Sequence, residues 1–429
     1  MEKSMTSISK TQTAPEMSAG IVFEEIPIPS PNPQNHAANL CELPGSDLLC
    51  VWFSGTQEGM ADISIYMSRL LKDRKVWTEP QRMSFALDRS EQNPVLFLAP
   101  DGQLWLFWTS QRAGNQDTAV VMNRISSDGG ESWSEPKVLI DRPGSFVRQP
   151  VVVNARGEWL LPLFRCRKTL AQKWTGDADY SAIALSKNKG ASWDIRPLPG
   201  SLGCVHMNII QMNDDSMLAF FRSRWADFIY RAKSTDGGLT WDVPQPTVLP
   251  NNNSSIQCVK LKDGRLAMVF NRASAADATQ RRESLYDEIE DDDYVENLDK
   301  TPGQAGFSSF ASAGHENAPL PDSRRAFWGA PRAPLSIAFS EDDGISWPVW
   351  RDIEVGDGYC LSNNSKNGLN REYSYPSILQ GSDELIHVAY TVFRQRIKYI
   401  RFSTAWVQES EQADLSEAKA LPKDERSGR

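Results

Sequence analysis

The sequence predicts an all-β chain folded as a six-bladed β-propeller of four-stranded antiparallel sheets. Two observations carry that expectation. The first is the pattern S-x-D-x-G-x-[ST]-W, intact at Ser126–Trp133, Ser234–Trp241 and Ser340–Trp347, with Asn188 replacing Asp in a copy at Ser186–Trp193 and a remnant from Ser68 to Trp77. The Trp residues at 77, 133, 193, 241 and 347 are 56, 60, 48 and 106 apart, a repeat of whole sheets, with an insertion in the last gap. The second is a recurring pair of strands, opening on polar residues and joined by an Asp-Gly-like turn. It is clearest from Asn93 to Trp108 and recurs from His36 to Trp52, Gln149 to Phe164, Met207 to Arg222, Ser255 to Phe270 and Tyr373 to Tyr390, which makes six units.

Each S-x-D-x-G-x-[ST]-W copy reads as a hairpin turn. The Ser and Asp side chains bond the turn backbone, Gly takes a positive φ, and Trp packs between neighbouring sheets.

In chain order, residues 1–20 are polar and Ser/Thr-rich, with no apolar stretch of the kind a secretion signal needs, so the expectation is a tail on a cytoplasmic protein. Residues 21–405 form the propeller, which can hold 429 residues in one unit because it grows by adding blades. Ile21 to Ile26 alternates like a short strand and is expected to join the last blade, beside Leu385 to Phe393 and Arg396 to Ser403. The fifth blade is interrupted by an insertion, 272–330, which carries the acidic run Glu283 to Glu296 and ends near Phe327 and Trp328. It reads either as a solvated loop or as a lid. Residues 406–429 are a charged tail.

With 46 basic against 55 acidic residues the net charge is −9, which disfavours nucleic acid as a partner. No run is long and apolar enough to span a membrane. The six cysteines are scattered in apolar stretches without metal-ligand spacing and read as buried free thiols. The histidines at 36, 206, 315 and 387 have no local ligand partners, and no phosphate-cradling glycine loop is present. Neither a metal nor an organic cofactor is therefore expected.

In a propeller, function belongs where the inner strands begin, because six strand ends meet there around one axis. The polar residues at those starts are His36, Asn39, Gln92, Asn93, Arg148 and Gln149, then His206, Asn208, Ser255, Gln257, Glu372, Tyr373 and Tyr375. A buried polar ring of this kind needs a ligand or water to satisfy it.

The repeated Asp box over six units resembles the sialidase superfamily of Asp-box (BNR-repeat) propellers, from about Ile21 to Ser403. The resemblance implies an exo-acting glycoside hydrolase for a terminal anionic sugar. Such a site holds the substrate carboxylate with three arginines, attacks with a Tyr polarised by a Glu, and uses a loop Asp as acid/base. Arg222 matches the second arginine, Arg332 the third, Tyr373 the nucleophile, and Asp62 the acid/base, with Glu58 four residues before it. Where the first arginine belongs, this chain has His36 within Asn35 to Ala38, and His206 stands where the polarising Glu belongs. Arg148, opening the third blade, supplies another cation.

The chemistry fits these residue types. A neutral Tyr avoids the repulsion a carboxylate nucleophile would meet beside an anomeric carboxylate, and it needs a base in contact, for which His206 is the candidate. A carboxyl at a cleft edge, as expected for Asp62, has its pKa raised toward the range of a general acid. Arg222 and Arg332 offer planar forks that match a carboxylate. His36, Arg148, Gln257, Glu372, Tyr375 and Glu58 complete the expected substrate-binding set. Three functions stay open: hydrolysis of an anionic glycoside; a lyase, cyclase or isomerase reaction in the same pocket; and non-catalytic binding of a carbohydrate or protein. The expected ligand is a small molecule or glycan bearing a carboxylate, and the oligomeric state is not legible.

Overall fold

The computed structural model of this chain describes residues 20–167, 174–212, 215–282 and 324–409. The tails 1–19 and 410–429, and the acidic run of the insertion, lie outside the described residues.

Six antiparallel sheets form the molecule. Their inner strands are Gln34–Glu42, Arg89–Leu98, Ser145–Val147 continued by Val152–Val153, Cys204–Gln211, Gln257–Lys260 and Tyr373–Gln380. The last sheet takes its outermost strand from the other end of the chain, since Phe23–Glu25 pairs with Arg396–Phe402. Apolar clusters fill the seams between successive sheets. Leu49 and Val51 of blade 1 meet Leu104 and Leu106 of blade 2. The seam that closes the ring joins Trp52 and Trp77 to Tyr399 and Ala389. The fifth blade pairs Leu266–Asn271 directly with Leu335–Ser340, so the long insertion leaves and re-enters between two neighbouring strands.

The Asp boxes are turns at one rim. In Ser126–Trp133, the Ser126 hydroxyl donates to Asp128 (2.7 Å) and accepts the Gly130 N–H (2.8 Å), while Asp128 accepts the Ser132 N–H (2.9 Å). These bonds hold the Asp128 carboxyl below the usual carboxylate range. The Asn188 copy keeps the geometry, accepting the Ser192 N–H at 2.9 Å.

At the opposite rim the inner strands share one irregularity. Ladder pairing skips two residues between His36 and Asn39, Gln92 and Val95, Val205 and Asn208, and Ser374 and Ser377. The first skipped residue has a positive φ in each: Ala37, Asn93, His206 and Tyr375. In blade 3 the inner strand is broken at the equivalent place by Arg148, Gln149 and Pro150. Such bulges re-aim a side chain, and here they turn the residues at the bulge toward the axis. All six cysteines are free thiols, five of them buried.

Candidate active site

The bulges bring one cluster together around Tyr375. Its ring lies 4.2 Å from the His36 ring and 5.7 Å from the His206 ring, centroid to centroid. The guanidinium carbons of Arg148, Arg222 and Arg332 lie over the same ring at 5.4, 5.7 and 5.6 Å. Residues from blades 1, 3, 4, 5 and 6, hundreds of positions apart, thus become neighbours.

Arg222, ending the strand Met217–Ser223, donates from Nη1 to the Tyr375 hydroxyl oxygen at 2.6 Å and from Nε to Asn253 at 2.8 Å. The same Nη1 lies 3.4 Å from His206 Nε2. A guanidinium only donates, so Nε2 is the acceptor and the imidazole hydrogen sits on Nδ1. Arg222 is buried, has only neutral hydrogen-bond partners among the described residues, and faces Arg224 and Arg332. Burial first, and those cations after it, push it down to about 9 despite the opposing pull of Tyr375.

Arg332 is different. It donates to Glu372 at 2.9 Å, and Glu372 also accepts from Arg394 (3.1 Å), Asn370 (2.9 Å) and Ser374 (2.5 Å). Burial alone would raise Glu372, but Arg332 and Arg394 outweigh it and hold the carboxyl well below its usual range. Arg394 also pairs with Glu58, and burial is again overcome, this time by Glu372 and Glu58, which raise it. Arg332, Arg394, Glu372 and Glu58 therefore form a buried, charge-balanced network.

The other expected residues divide in two. His36 is buried, with Nδ1 3.9 Å from Glu372 and no hydrogen bond at either nitrogen among the described residues, and burial, then Arg394, hold it neutral. Among the described residues His206 has no partner at Nδ1; burial and then Arg222 hold it neutral too. Arg148 spends its nitrogens on Ser255 (3.1 Å) and on the carbonyls of Ala38 (3.1 Å), Tyr375 (3.1 Å) and Pro376 (3.0 Å), tying four blades together at the axis. Gln257 likewise bridges Gln149 (2.9 Å) and the Ile378 N–H (2.6 Å). Asp62 sits exposed at the rim, on the loop between the strands Leu48–Gly55 and Ser64–Leu70, accepting from the Thr56 N–H (2.8 Å) and hydroxyl (2.9 Å).

Tyr373 was the expected nucleophile position, and the structure places it elsewhere. Its ring packs on Phe393 (5.2 Å) in the seam of blades 5 and 6, and the ring beside Arg222 belongs to Tyr375. Counted from the bulge, Tyr373 is equivalent to Asn35 and Glu91, whose side chains bond the seam tryptophans Trp52 and Trp108. Sequence reasoning missed Arg394, Asn253 and the buried pair of Arg224 with Asp179 (2.8 Å). Arg394 follows Phe393 in a hairpin turn with positive φ at both residues, a place that carries no inner-strand pattern.

The cluster is covered. Tyr375, Arg222, Arg332, Arg394, His36 and His206 are each at most 6% exposed, so little of the cluster faces solvent. The end of the insertion supplies part of that cover: Trp328 lies over Arg222 (5.7 Å) and Arg224 (5.1 Å), and its indole N–H donates to the Thr175 carbonyl (2.8 Å). Among the described residues, no group of three or more His, Cys, Asp or Glu could hold a metal, and no helix is long and apolar enough to cross a membrane.

A family model described as a BNR repeat-like domain matches residues 46–388. Among solved structures, a Hadza microbial sialidase aligns at TM-score 0.59 and 14% identity, over 88% of this chain and 67% of that one. A protein of unknown function from Dyadobacter fermentans aligns at TM-score 0.60 and 13% identity, over 90% and 99%. The intramolecular trans-sialidase from Ruminococcus gnavus aligns at TM-score 0.58 and 13% identity, over 88% and 96%. At these identities the likeness is one of fold. No curated protein matches the chain.

Proposed function

We propose a function on one premise: this chain belongs to the BNR repeat-like domain family and has the six-bladed propeller of sialidases. The reading is a sialidase-like glycoside hydrolase, exo-acting on a terminal anionic sugar. One observation carries it. Arg222 is a buried guanidinium with no carboxylate partner among the described residues, and it touches the hydroxyl of the Tyr that projects at the axis. A buried cation without a counter-charge is costly, and a substrate carboxylate would supply that charge.

In this reading Arg222 takes the carboxylate, and the network of Arg332, Arg394, Glu372 and Glu58 shapes the wall beside it. Tyr375 takes the nucleophile's role expected of Tyr373. Tyr375 gives its proton to neutral His206 as its oxygen bonds to the anomeric carbon and the bond to the aglycone oxygen breaks, and Asp62 at the rim protonates that oxygen. Water, losing a proton to the Asp62 carboxylate, then attacks the anomeric carbon, and the departing tyrosine oxygen takes its proton back from His206 as the sugar is released. Arg222 stabilises the tyrosine oxygen as its charge changes.

A second reading is favoured by one feature. Among the described residues no carboxylate bonds the Tyr375 hydroxyl, and the aromatic neighbours of its ring are two neutral imidazoles. That set also suits a lyase, with a neutral imidazole taking a proton from carbon and the Tyr375 hydroxyl protonating the leaving oxygen.

Fluorogenic glycosides of sialic, ketodeoxynonulosonic and uronic acids, assayed beside an enzyme-free blank, test the first reading. Release of fluorophore that disappears in Tyr375→Phe is expected. An unsaturated product in place of the free sugar points to the lyase. Absence of any turnover, together with no binding of the free acids, overturns both.

A further inference from the structure

Away from the axis, a groove of about 570 Å³ runs between the outermost strand of blade 2, Lys137–Ile140, and the turn 186–193 of blade 3. We propose that this groove is a second, non-catalytic binding site for an acidic oligosaccharide, with one sugar ring laid on Trp193. The proposal does not rest on the reading of the axial cluster.

The first observation is the tryptophan. In the turns 126–133 and 234–241 the indole N–H donates to the carbonyls of Gly130 and Gly238, at 3.1 Å in each. The Trp193 N–H, like that of Trp347 in the turn 340–347, has no acceptor among the described residues. Its ring packs edge-on to Phe107 (6.4 Å, 89°) and tilted on Trp159 (6.4 Å, 54°), against the apolar cluster of blades 2 and 3, and it stays partly exposed along the groove. A flat ring offered to a groove suits the C–H face of a pyranose.

The second observation is independent. Asn123 lines the same groove, is only 6% exposed, and its side-chain amide makes no hydrogen bond among the described residues. An amide that makes no bond within the protein offers the donors and acceptor that adjacent sugar hydroxyls use. Third, Lys137 and Arg142 line the groove without a carboxylate partner among the described residues, against one acid, Asp141. That excess of positive charge selects a saccharide with a carboxylate or sulfate over a neutral one.

The groove takes in Trp105, at the start of the strand Leu104–Arg112, which places it toward the rim of the Asp boxes and away from Tyr375. A chain held here and threaded round the edge of blades 2 and 3 would raise the local concentration of its own ends.

Fluorescence polarisation of the full chain with labelled 3′-sialyllactose, a hexuronate tetrasaccharide and lactose tests the proposal. The expected result is that an acidic probe still binds Arg222→Ala, in which the axial cluster has lost its cation, that lactose binds this variant more weakly, and that adding Asn123→Ala/Lys137→Ala to it costs about 10-fold or more in affinity. That double variant leaves the aromatic packing intact and should melt as wild type does. Trp193→Ala should fall in the same direction, and if it fails to fold the double variant decides. No acidic probe bound, an affinity unmoved by the double substitution, or binding abolished by Arg222→Ala would each overturn the site.

Discussion

Two residues apart on one strand, Tyr373 and Tyr375 differ in everything that decides function. Alternation along a regular strand would put both on one face; the bulge at Tyr375 breaks that alternation and leaves Tyr373 in a seam. In the proposed reaction, Tyr375→Phe lowers kcat roughly 100-fold or more, on the order of 3 kcal/mol of lost transition-state stabilisation. Tyr373→Phe leaves kcat within a few-fold, and steady-state kinetics on one fluorogenic substrate separates the two. His36 and His206 make a second prediction. Unfolded, an imidazole protonates near pH 6.5, whereas in the fold both stay neutral until well below that. Below about pH 6.5 the unfolded state therefore binds more protons, and stability falls as pH drops; above it the contribution is complete. Glu372, held well below its usual range, gives stability that is present above the unfolded carboxylate value and lost only at lower pH, so it does not mask this window. The melting temperature should fall between pH 7.5 and 5.5, and His36→Leu should shrink the fall. The bulge and the pairing of Arg394 with Glu58, 336 positions apart, were illegible in the sequence, because both depend on how the ring closes. Arg222 and Arg332 were legible because each stands next to a patterned strand.

At the level of the turn, the boxes were legible because their bonds are local, spanning at most four residues. The natural Asn188 copy shows what the turn requires. Asn188 accepts the Ser192 N–H and turns its amide onto the Ser192 hydroxyl (2.8 Å), where Asp236 instead accepts the Thr240 hydroxyl (2.5 Å). A hydroxyl can reverse its role, so the charge is dispensable and the side-chain oxygen is not. Asp236→Asn should therefore change unfolding free energy in urea by less than about 0.5 kcal/mol, while Asp236→Ala costs about 1–2 kcal/mol through lost hydrogen bonds at a partly exposed site. Equal losses in the two variants would show that charge holds the turn. The strap that ends the insertion was legible only as Phe327 and Trp328 in need of an apolar surface. Trp328 found that surface in a buried cluster with Phe146, Phe164, Trp174 and Val205, and the guanidinium groups of Arg222 and Arg224 add cation–π contacts to it.

For the whole molecule, the decisive feature is that the ring is closed by a strand from the far end of the chain. Phe23–Glu25 covers the open edge of Arg396–Phe402, Ile26 donates its N–H to the Tyr399 carbonyl (3.1 Å), and Glu24 pairs with Arg401 (2.6 Å). Ile26 and Ile28 are buried in the seam with Trp52 and Tyr399. Without that segment the sixth sheet would present an unpaired edge, and one of the six apolar seams would lose part of its filling. Burial of the two isoleucines is worth about 2–3 kcal/mol each, before the backbone bonds are counted. Each blade leans on the next through a continuous core, and Arg148 ties blades across the axis, so the loss should not stay local. Removing residues 1–30 is therefore expected to lower the melting temperature of the entire propeller by several degrees while keeping a single transition. Calorimetry on the truncated and full chains checks this. An unchanged melting temperature would mean that the closing strand is ornamental, and a separate low-temperature transition would mean that the blades near the closure unfold on their own.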